Sequence, residues 1–386
     1  MTIRPLHLLF VGVVLSCTGL QYSAPAWSKT ETVCGPPITA DDGWQTASTD
    51  QVGFDAALLC SLNEMLDESP RRNVHSIVVA RSGKLVYEIY RTGYDQKWGT
   101  PLGTVSYTAD MPHDVMSISK SVVSLLFGIA LDRGLIASVD DPVHIYFPDY
   151  AVLRTPEKDR ILLRHLLTMK SGLEWHENRS YDDPRNSEIM MIGSPDPYRF
   201  ILEQPVRAEA GKVWNYSGGN TQLLAGVLQR KTGKSLAEFA NEALFQPLGI
   251  TKFEWTKMPA NGEAAAASGL RLRPRDMAKI GELVLRKGMW NGHRVVSERW
   301  IEQSTRARTD EPGPLYGYQW WIMNEAVGER ATSWIVGSGF GGQRIYIAPA
   351  YDVVVVITAG LYADAFHEQA WAIDYVFKHV LAAIRQ

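Results

Sequence analysis

The sequence predicts an α+β fold, in which strands from both ends of the chain form one antiparallel sheet flanked by helices, with a mostly helical middle subdomain. Residues 75–90, HSIVVARSGKLVYEIY, predict two strands joined at Ser82-Gly83. Further strand-like runs lie near the other end of the chain, at residues 315–323, 333–337, 343–348 and 352–358. The chain has 386 residues, of which 45% are hydrophobic, so its composition is that of an ordinary globular protein.

The segments between these strands have the features of helices. The most apolar one covers residues 116–133 and is followed by Gly134, a residue type that commonly ends helices. The other predicted helices cover residues 55–67, 164–173, 220–231, 236–244, 274–286 and 367–384. Residues 174–200 are polar and predict a long loop. Because no repeat or low-complexity linker divides the chain, we expect one domain over residues 71–386, preceded by a lead-in over residues 27–70.

Residues 1–26 have the layout of a secretory signal peptide. A basic residue is followed by an apolar run at residues 8–15 and then by Ala24-Pro25-Ala26, which matches an A-x-A cleavage site. The apolar run is too short to cross a bilayer, so no stable membrane span is expected. We therefore expect an exported protein, periplasmic or secreted, whose mature chain begins near Trp27. The alternative is a lipoprotein signal that would place a lipid anchor on Cys17.

Cleavage would leave two of the three cysteines, Cys34 and Cys60. Export to an oxidising compartment favours a disulfide between them. The alternative is two free thiols, with Cys60 on an apolar helix face. No C-x-x-C or H-E-x-x-H motif occurs, so the sequence predicts neither a metal site nor another cofactor.

The charge pattern narrows the choice of partner. The formal net charge is -3, and basic and acidic residues are interspersed along the chain. The sequence therefore lacks the basic stripe that nucleic-acid binding requires. We expect a small-molecule or peptide-like substrate, and the sequence leaves the oligomeric state open.

The predicted helix at residues 116–133 begins with polar residues, although the rest of it is apolar. Ser117 and Lys120 are three positions apart, so on a helix both project from the first turn. A serine hydroxyl needs a nearby base to act as a nucleophile, and a lysine shielded from water has a lowered pKa that suits this role. The helix N-terminus also offers free N–H groups for an oxyanion. The alternative is a chance match to a short motif, with Ser119 and Ser121 as capping residues.

Six short blocks, taken in order, carry a resemblance to a known superfamily. They are Ser117-x-x-Lys120 with KSVVSLLFGIALDRGLI, then RHLLTMKSGL, WNYSGGNTQLLAGVL, SGLRLRPRDMAKIGELVLRKGMWNG, YGYQWW and GSGFGGQRIYIAP. Over roughly residues 70–380 the chain resembles the serine β-lactamases and penicillin-binding proteins. Its pattern is most similar to the branch of lactamase-like esterases, D,D-peptidases and 6-aminohexanoate-dimer hydrolase. The resemblance implies a β-lactamase/transpeptidase-like fold and an acyl-enzyme formed on Ser117.

The second motif of that superfamily, Tyr-x-Asn, has an altered counterpart at Tyr216-Ser217-Gly218. The tyrosine is present, and the resemblance implies that it relays protons together with Lys120. The asparagine, which would help to hold the lysine and a substrate amide, is replaced by glycine. The alternative for Tyr216 is a core aromatic, because it alternates with Trp214 as residues of a strand do.

The third motif, Lys-Thr-Gly, is also altered. A literal copy at Lys231-Thr232-Gly233 follows a helix and is predicted to end it, with Ser235 opening the next helix. The positional match is Gly337-Ser338-Gly339, which lacks the cation that would pair with a substrate carboxylate. The resemblance implies that Ser338, Gly339 and Phe340 bind substrate. It also implies an oxyanion hole formed by the N–H groups of Ser117 and of Gly339 or Phe340.

The sequence as a whole predicts a secreted serine hydrolase that cleaves an amide or an ester. The aromatic residues expected to shape its cleft, unless they belong to the core, are Trp175, Tyr181, Trp320 and Trp321. Alternatives within the same class are a D,D-peptidase and a weak β-lactamase. An alternative of another class is a non-catalytic ligand-binding or sensor protein of the cell envelope. An α/β-hydrolase is disfavoured because no G-x-S-x-G occurs.

Overall fold

The computed structural model describes residues 35–68, 73–309, 313–327, 330–364 and 366–385. All of these residues belong to the unit Thr32–Gln386. The predicted signal peptide and the cysteines Cys17 and Cys34 lie outside the described residues.

Strands in the described part of the chain form four sheets. They are β1 Gln45–Thr46, β2 Val74–Arg81, β3 Lys84–Tyr90, β4 Thr92–Lys97, β5 Thr100–Ser106, β6 His113–Asp114, β7 Phe253–Trp255, β8 Leu270–Leu272, β9 Met289–Trp290, β10 His293–Arg294, β11 Trp321–Val327, β12 Arg330–Gly339, β13 Gln343–Ala348 and β14 Val353–Ala359. The central sheet has seven strands in the order β1-β3-β2-β14-β13-β12-β11, and the small sheets are β4-β5, β6-β8-β7 and β10-β9.

The two ends of the chain meet in the middle of the central sheet. Strand β2 pairs antiparallel with β14, so that Val79 lies opposite Val355. Strands β2 and β3 form a hairpin whose turn residues, Ser82 and Gly83, both have positive φ, as tight hairpin turns require. The pairing of β1 with β3 is parallel, and the other pairings in this sheet are antiparallel. The prediction of an α+β fold with a sheet built from both ends is confirmed.

The helices of the described residues come mostly from the middle of the chain. They are α1 Ala56–Cys60, α2 Leu62–Asp67, α3 Ile118–Asp132, α4 Leu163–Leu167, α5 Ser187–Ile192, α6 Pro197–Glu203, α7 Gly218–Thr232, α8 Leu236–Ala240, α9 Pro274–Leu285, α10 Glu298–Ser304 and α11 Phe366–Ala382. None of them combines the length and the apolar character that crossing a membrane requires.

Each face of the central sheet contributes to a separate core, because successive strand residues point to opposite faces. On β2, Ile77 and Val79 belong to the core that includes residues of α1, α2 and α11. Val78 and Ala80 belong to the larger core that includes residues of α3, α7 and α9. Burial of each of the valine and isoleucine side chains contributes about 1.5–3 kcal/mol, so the alternation determines which helices cover which face.

Several elements differ from the sequence-based expectation. The segment 174–200, predicted as a long loop, contains α5 and the start of α6. The helix predicted over residues 55–67 is interrupted at Ser61, whose hydroxyl donates to the Leu58 carbonyl at 2.8 Å. The strand predicted over residues 315–323 begins only at Trp321, because the residues before it form a tight loop in which Gln319 has a φ of 64°. The β4-β5 hairpin was not predicted, since its strands are largely polar and contain glycine and proline.

Candidate active site

Ser117 lies at the end of a strained turn that leads into α3. Met116 has a φ of 49°, a left-handed conformation that is uncommon for a residue other than glycine. The Val115 N–H donates to the Leu270 carbonyl at 3.0 Å, which fastens the turn to β8. Behind the turn, α3 is buried from Ile118 to Ala130. The apolar helix therefore gives the Ser117 hydroxyl a rigid base, which explains the polar start of an apolar helix.

The neighbouring serines have structural hydrogen bonds. The Ser119 hydroxyl donates to the Met116 carbonyl at 2.6 Å and accepts from the Leu270 N–H at 3.2 Å. The Ser121 hydroxyl donates to the Gln319 carbonyl at 2.7 Å. These bonds join α3 to β8 and to the loop before β11, so the two hydroxyls hold the first turn of α3 in place rather than cap it.

Lys120 is buried beside the Ser117 hydroxyl, with an exposed fraction of 1%. Its Nζ donates to Ser117 Oγ at 3.1 Å and to one backbone carbonyl at 3.2 Å, and it lies 3.5 Å from Glu177 Oε1. Burial alone would lower the pKa of Lys120, but attraction to the acidic groups Tyr216, Glu177 and Glu188 outweighs burial and raises it. Of these three groups, Glu177 is the one that is charged in the resting site. The expectation of a lowered lysine pKa is therefore wrong, because it did not include these acidic neighbours, which are distant from Lys120 in sequence. Lys120 is an ammonium ion in the resting site.

Glu177 is the carboxylate that balances this ammonium. Its Oε2 accepts from Trp175 Nε1 at 2.8 Å and from the Gly218 N–H at 2.5 Å. Burial would raise the pKa of Glu177, but the Lys120 charge and the hydrogen bonds to the carboxylate lower it below its ordinary value. The buried pair is thus ionised, with most carboxylate lone pairs satisfied.

Glu188, on α5, is a second buried carboxyl group next to Glu177. Burial and the Glu177 charge raise its pKa, so it is a neutral acid at moderate pH. Its Oε1 accepts from the Ser268 hydroxyl at 2.8 Å. As a carboxylate its Oε2 would have no partner among the described residues, whereas as an acid it donates to Glu177. The proton on Glu188 therefore completes the hydrogen bonding of the acidic pair.

Tyr216 belongs to the same cluster as Ser117 and Lys120. The Lys120 Nζ lies 4.7 Å from the centroid of the Tyr216 ring. Burial raises the pKa of Tyr216, while the Lys120 charge and hydrogen bonds with Ser117 and Lys120 partly offset that rise. Tyr216 is therefore a phenol at rest. The structure brings together the three residues that the sequence analysis placed in the catalytic cluster.

The glycine that replaces the motif asparagine has a structural reason. A Cβ atom at Gly218 would lie 2.9 Å from Glu188 Oε2 and 3.2 Å from the Ala267 Cβ. A side chain at this position would therefore require Glu188 to shift. Glu188 therefore occupies the space next to the cluster into which a side chain at position 218 would extend.

The two candidates for the third motif lie in the elements that were predicted for them, one at a helix end and the other on a strand. Gly233 ends α7 with a φ of 68°, and Ser235 caps α8, so the interpretation of Lys231-Thr232-Gly233 as a helix end is confirmed. Gly337-Ser338-Gly339 forms the end of β12. A Cβ atom at Gly339 would collide with the Val115 carbonyl oxygen and lie 3.1 Å from the Met116 Cβ. Only glycine allows β12 to approach the turn before Ser117 so closely.

A cavity of about 1040 Å³ opens over Ser117. Its lining includes Trp175, Tyr181, Tyr216, Trp321, Ser338, Gly339, Phe340 and Tyr362. The Tyr181 and Phe340 rings are 5.2 Å apart, which places an aromatic contact across the cavity. Trp320, in contrast, has an exposed fraction of 0% and belongs to the core, so its predicted place in the cleft is wrong.

The two acidic residues of the site were not among the predicted site residues. Glu177 and Glu188 lie in the polar segment 174–200, where glutamates are expected to face solvent. The only hint in the sequence is Gly218, because a glycine in place of a motif residue indicates that another group fills the space. Position 218 alone does not say which group that is.

Solved structures share this fold at low sequence identity. The octameric penicillin-binding protein homologue from Pyrococcus abyssi matches with a TM-score of 0.63 and 19% identity, covering 85% of this chain and 77% of that chain. The D-amino acid amidase from Ochrobactrum anthropi SV3, complexed with L-phenylalanine, matches with a TM-score of 0.60 and 19% identity, covering 85% of this chain and 98% of that chain. The predicted β-lactamase/transpeptidase-like fold is confirmed.

Two of the relatives in sequence are hydrolases by name. The 6-aminohexanoate-dimer hydrolase of Paenarthrobacter ureafaciens is 26% identical over 322 residues, covering 78% of this chain and 75% of its own length. Esterase EstB of Burkholderia gladioli is 28% identical over 218 residues, covering 53% of this chain and 54% of its own length. The family model described as Beta-lactamase matches residues 62–375. The prediction of an enzyme is therefore confirmed: the chain is a hydrolase that belongs to the β-lactamase family.

Proposed function

We propose that this chain is an exported serine hydrolase that cleaves an amide or ester bond through an acyl-enzyme on Ser117. The observation that carries the proposal is the cluster of Ser117, Lys120 and Tyr216 at the cavity, in which the Ser117 hydroxyl is 3.1 Å from Lys120 Nζ. A hydroxyl on a rigid helix start, next to an ammonium and a phenol, is suited to nucleophilic attack and proton transfer.

Tyr216 is the proton carrier in this proposal, and Lys120 stays charged. In the reactive form Tyr216 has lost its proton, and the Lys120 ammonium stabilises the phenolate. Ser117 Oγ bonds to the substrate carbonyl carbon while its proton passes to the Tyr216 oxygen. Tyr216 then protonates the leaving amine or alcohol as the scissile bond breaks. In deacylation Tyr216 takes a proton from water, the resulting hydroxide attacks the acyl carbon, and the proton returns to Ser117 as the ester bond breaks.

The proposed oxyanion hole consists of the N–H groups of Ser117 and of Gly339 or Phe340. The close approach of Gly339 to the turn before Ser117 supports this assignment. Ser338, Gly339 and Phe340 also line the same cavity as Ser117. Preorganised N–H donors at such a point stabilise the negative charge that develops on the carbonyl oxygen.

The substrate preference rests on two groups that are missing from the motifs. Glycine at position 218 removes the amide that would hold a substrate carbonyl, and Gly337-Ser338-Gly339 lacks the cation that would pair with a β-lactam carboxylate. A charge-assisted contact contributes about 1.5–3 kcal/mol, so its loss costs roughly tenfold to a hundredfold in binding or rate. The names of two relatives, a 6-aminohexanoate-dimer hydrolase and an esterase, support amides or esters over β-lactams.

A comparison of two substrates tests this preference. We expect measurable kcat/KM for a p-nitrophenyl ester or a small amide, and a kcat/KM for nitrocefin that is far lower with the same enzyme preparation. Turnover of nitrocefin that equals or exceeds that of the ester would refute the preference. It would favour the weak β-lactamase, the alternative that the sequence left open.

The nucleophile is tested by substitution on α3. Ser117→Ala should reduce ester hydrolysis by more than about a hundredfold and abolish labelling by a fluorophosphonate probe, because it removes the attacking oxygen. Ser124→Ala is the matched control, since it removes a buried hydroxyl from the same helix that has no hydrogen-bond partner among the described residues. If Ser117→Ala keeps more than about a hundredth of the rate, the nucleophile is another residue.

A further inference from the structure

A second cluster of buried polar side chains, two histidines and an aspartate, lies at β6, the strand that precedes Ser117. It consists of His75 on β2, Asp95 on β4 and His113 on β6, each with an exposed fraction of 0%. The ligand atoms of these three residues lie within 4.8 Å of one another. His75 Nδ1 is 2.9 Å from His113 Nε2, and His113 Nε2 is 3.5 Å from Asp95 Oδ2.

The hydrogen bonds of Asn73 fix the tautomer of His75. The Asn73 amide nitrogen donates to the carbonyls of Tyr94 at 2.8 Å and Gly360 at 2.9 Å. Its oxygen therefore faces His75 Nε2, at 3.1 Å. Because that oxygen can only accept, the ring proton of a neutral His75 is on Nε2, and Nδ1 presents a lone pair.

The same reasoning fixes the tautomer of His113. Its Nδ1 is 2.9 Å from the Asp114 carbonyl oxygen, which also can only accept. The ring proton of a neutral His113 is therefore on Nδ1, and Nε2 presents a lone pair. Two lone pairs thus face each other across 2.9 Å, between His75 and His113. Such an arrangement is repulsive unless a cation lies between the two rings.

The third ligand also lacks a full set of partners. The Tyr107 hydroxyl donates to Asp95 Oδ2, but Asp95 Oδ1 has no hydrogen-bond partner among the described residues. The Tyr362 hydroxyl lies beside Asp95, and burial together with a hydrogen bond to the Asp95 carboxylate raises the pKa of Tyr362. The nearby cation Arg271 is already paired with Asp114. The buried Asp95 carboxylate thus has hydroxyl donors but no cation of its own among the described residues, and a positive charge at this point would offset the cost of its burial.

We propose that His75, Asp95 and His113 bind one divalent transition-metal ion, for which Zn²⁺ is the best match. Two imidazole nitrogens and one carboxylate oxygen are ligands that zinc accepts, and its four-coordinate sites need only one more group. The Asn73 amide and the Asp114 carbonyl hold the two rings by their other nitrogen atoms, as the outer partners of metal-bound histidines do. Small side-chain movements would bring all three ligand atoms to bonding distance.

Two glycines pack closely against the ring of His75. A Cβ atom at Gly93 would lie 2.6 Å from His75 Nε2, and one at Gly360 would lie 2.8 Å from His75 Cε1. The ion would join β2, the β4-β5 hairpin and β6, and β6 ends only three residues before Ser117. Its role is therefore structural: it would hold the hairpin and the turn before the nucleophile to the central sheet.

Sequence motifs could not have found this site. Its ligands come from three strands, at positions 75, 95 and 113. The expectation of no metal rested on motifs whose ligands are close together in sequence.

The test is metal binding by the whole protein, measured without reference to hydrolysis. After chelation and dialysis, wild-type protein should take up one Zn²⁺ per chain, and its thermal midpoint should rise by several degrees with added Zn²⁺. Co²⁺ in its place should give the visible absorption of a low-coordinate site. Asp95→Asn and His113→Gln should weaken binding by at least about a hundredfold. His293→Gln, on the exposed β10, and Ser117→Ala should bind as wild type does.

Three outcomes would overturn the proposal. The first is wild-type protein that binds no Zn²⁺, Co²⁺, Ni²⁺ or Mn²⁺ in stoichiometric amount. The second is a proton shared between His75 and His113 in nitrogen NMR spectra of metal-treated protein, which would identify the cation as a proton. The third is binding that survives in folded Asp95→Asn and His113→Gln proteins, which would place the metal elsewhere. If a variant does not fold, the number of Zn²⁺ ions bound per wild-type chain and the Co²⁺ spectrum of the wild type still test the proposal.

Discussion

The side chains around Ser117 determine one another's charges. Lys120 keeps its proton because acidic groups surround it, and Glu177 loses its proton because Lys120 is charged. Glu188 keeps its proton because Glu177 is negative. At rest the cluster then has one positive and one negative charge, with Tyr216 neutral. A buried group of this kind is stable only while every member is present, since removing one partner leaves another buried charge unpaired.

Replacement of Tyr216 by phenylalanine tests its role as proton carrier. Tyr216→Phe should lower kcat/KM by about a hundredfold to ten-thousandfold, because it removes the acid–base group and keeps the ring. The wild-type rate should rise with pH into the alkaline range, since the pKa of Tyr216 is raised and the phenolate is the base. The variant should lack this rise. Tyr318→Phe removes a hydroxyl from the core and should leave the profile unchanged; a rise that persists in Tyr216→Phe would assign the base to another group.

Glu188 should make the protein less stable as the pH rises. Its folded-state pKa is raised from 4.5 to about 8, so its stabilising contribution is fully present below pH 4.5 and is lost by about pH 8. Glu188→Gln keeps the donor to Glu177 and the acceptor for Ser268, and it does not titrate. The thermal midpoint of the variant relative to wild type should therefore increase by several degrees between these two pH values. If the thermal midpoints of the two proteins change in parallel with pH, Glu188 is not protonated in the folded protein.

The end of β12 packs closely against the turn before α3. A Cβ atom at Gly339 collides with the Val115 carbonyl, whereas one at Gly337 would meet only the side chains of Ile118 and Ile345, at 3.6 Å. We expect Gly339→Ala to destabilise the protein by roughly 1–3 kcal/mol and to lower kcat/KM at least tenfold. Gly337→Ala, the matched control on the same strand, should stay within about 0.5 kcal/mol of wild type. If Gly339→Ala and Gly337→Ala change thermal unfolding and kcat/KM to the same extent, this account of β12 is wrong.

The sequence predicts a helix or strand correctly when the residues of that element determine its structure by themselves. The hairpin of β2 and β3, the apolar helix α3 and the end of α7 at Gly233 all follow from local pattern, and the structure has them. The β4-β5 hairpin was missed because its strands are largely polar and contain glycine and proline. Glu177 was missed for another reason, since its ion pair with Lys120 spans 57 positions, from residue 120 to residue 177. Local pattern predicts elements and motifs, but not the partners that determine their charge.

The whole domain is closed by contacts between its first and last described segments. In addition to the pairing of β2 with β14, the Asp55 N–H donates to the Ala383 carbonyl at 2.7 Å, and Phe54 forms a bridge with Ile384. The Arg385 N–H donates to the Gly53 carbonyl at 2.9 Å. These bonds tie α1 to the end of α11, so the lead-in before β2 contributes to the same cooperative unit as the C-terminal helix.

Oxidation state should therefore affect the stability of the domain as a whole. Cys60 ends α1 and is disulfide-bonded, and its predicted partner, Cys34, lies outside the described residues. A disulfide that closes a loop of this length contributes about 3 kcal/mol. In a domain of this size we expect reduction, or Cys60→Ser, to lower the thermal midpoint by roughly 6 °C.

Mass spectrometry of the exported protein checks the premises of this expectation. The mass should correspond to a chain that begins near Trp27, and alkylation without reduction should add nothing. A lipid on Cys17 would instead support the lipoprotein alternative. Two alkylated thiols in the native protein would refute the Cys34–Cys60 bond. If reduction leaves the thermal midpoint unchanged, the disulfide does not contribute to stability. The hydrogen bonds between the lead-in and α11 would then be sufficient to hold the two ends of the domain together.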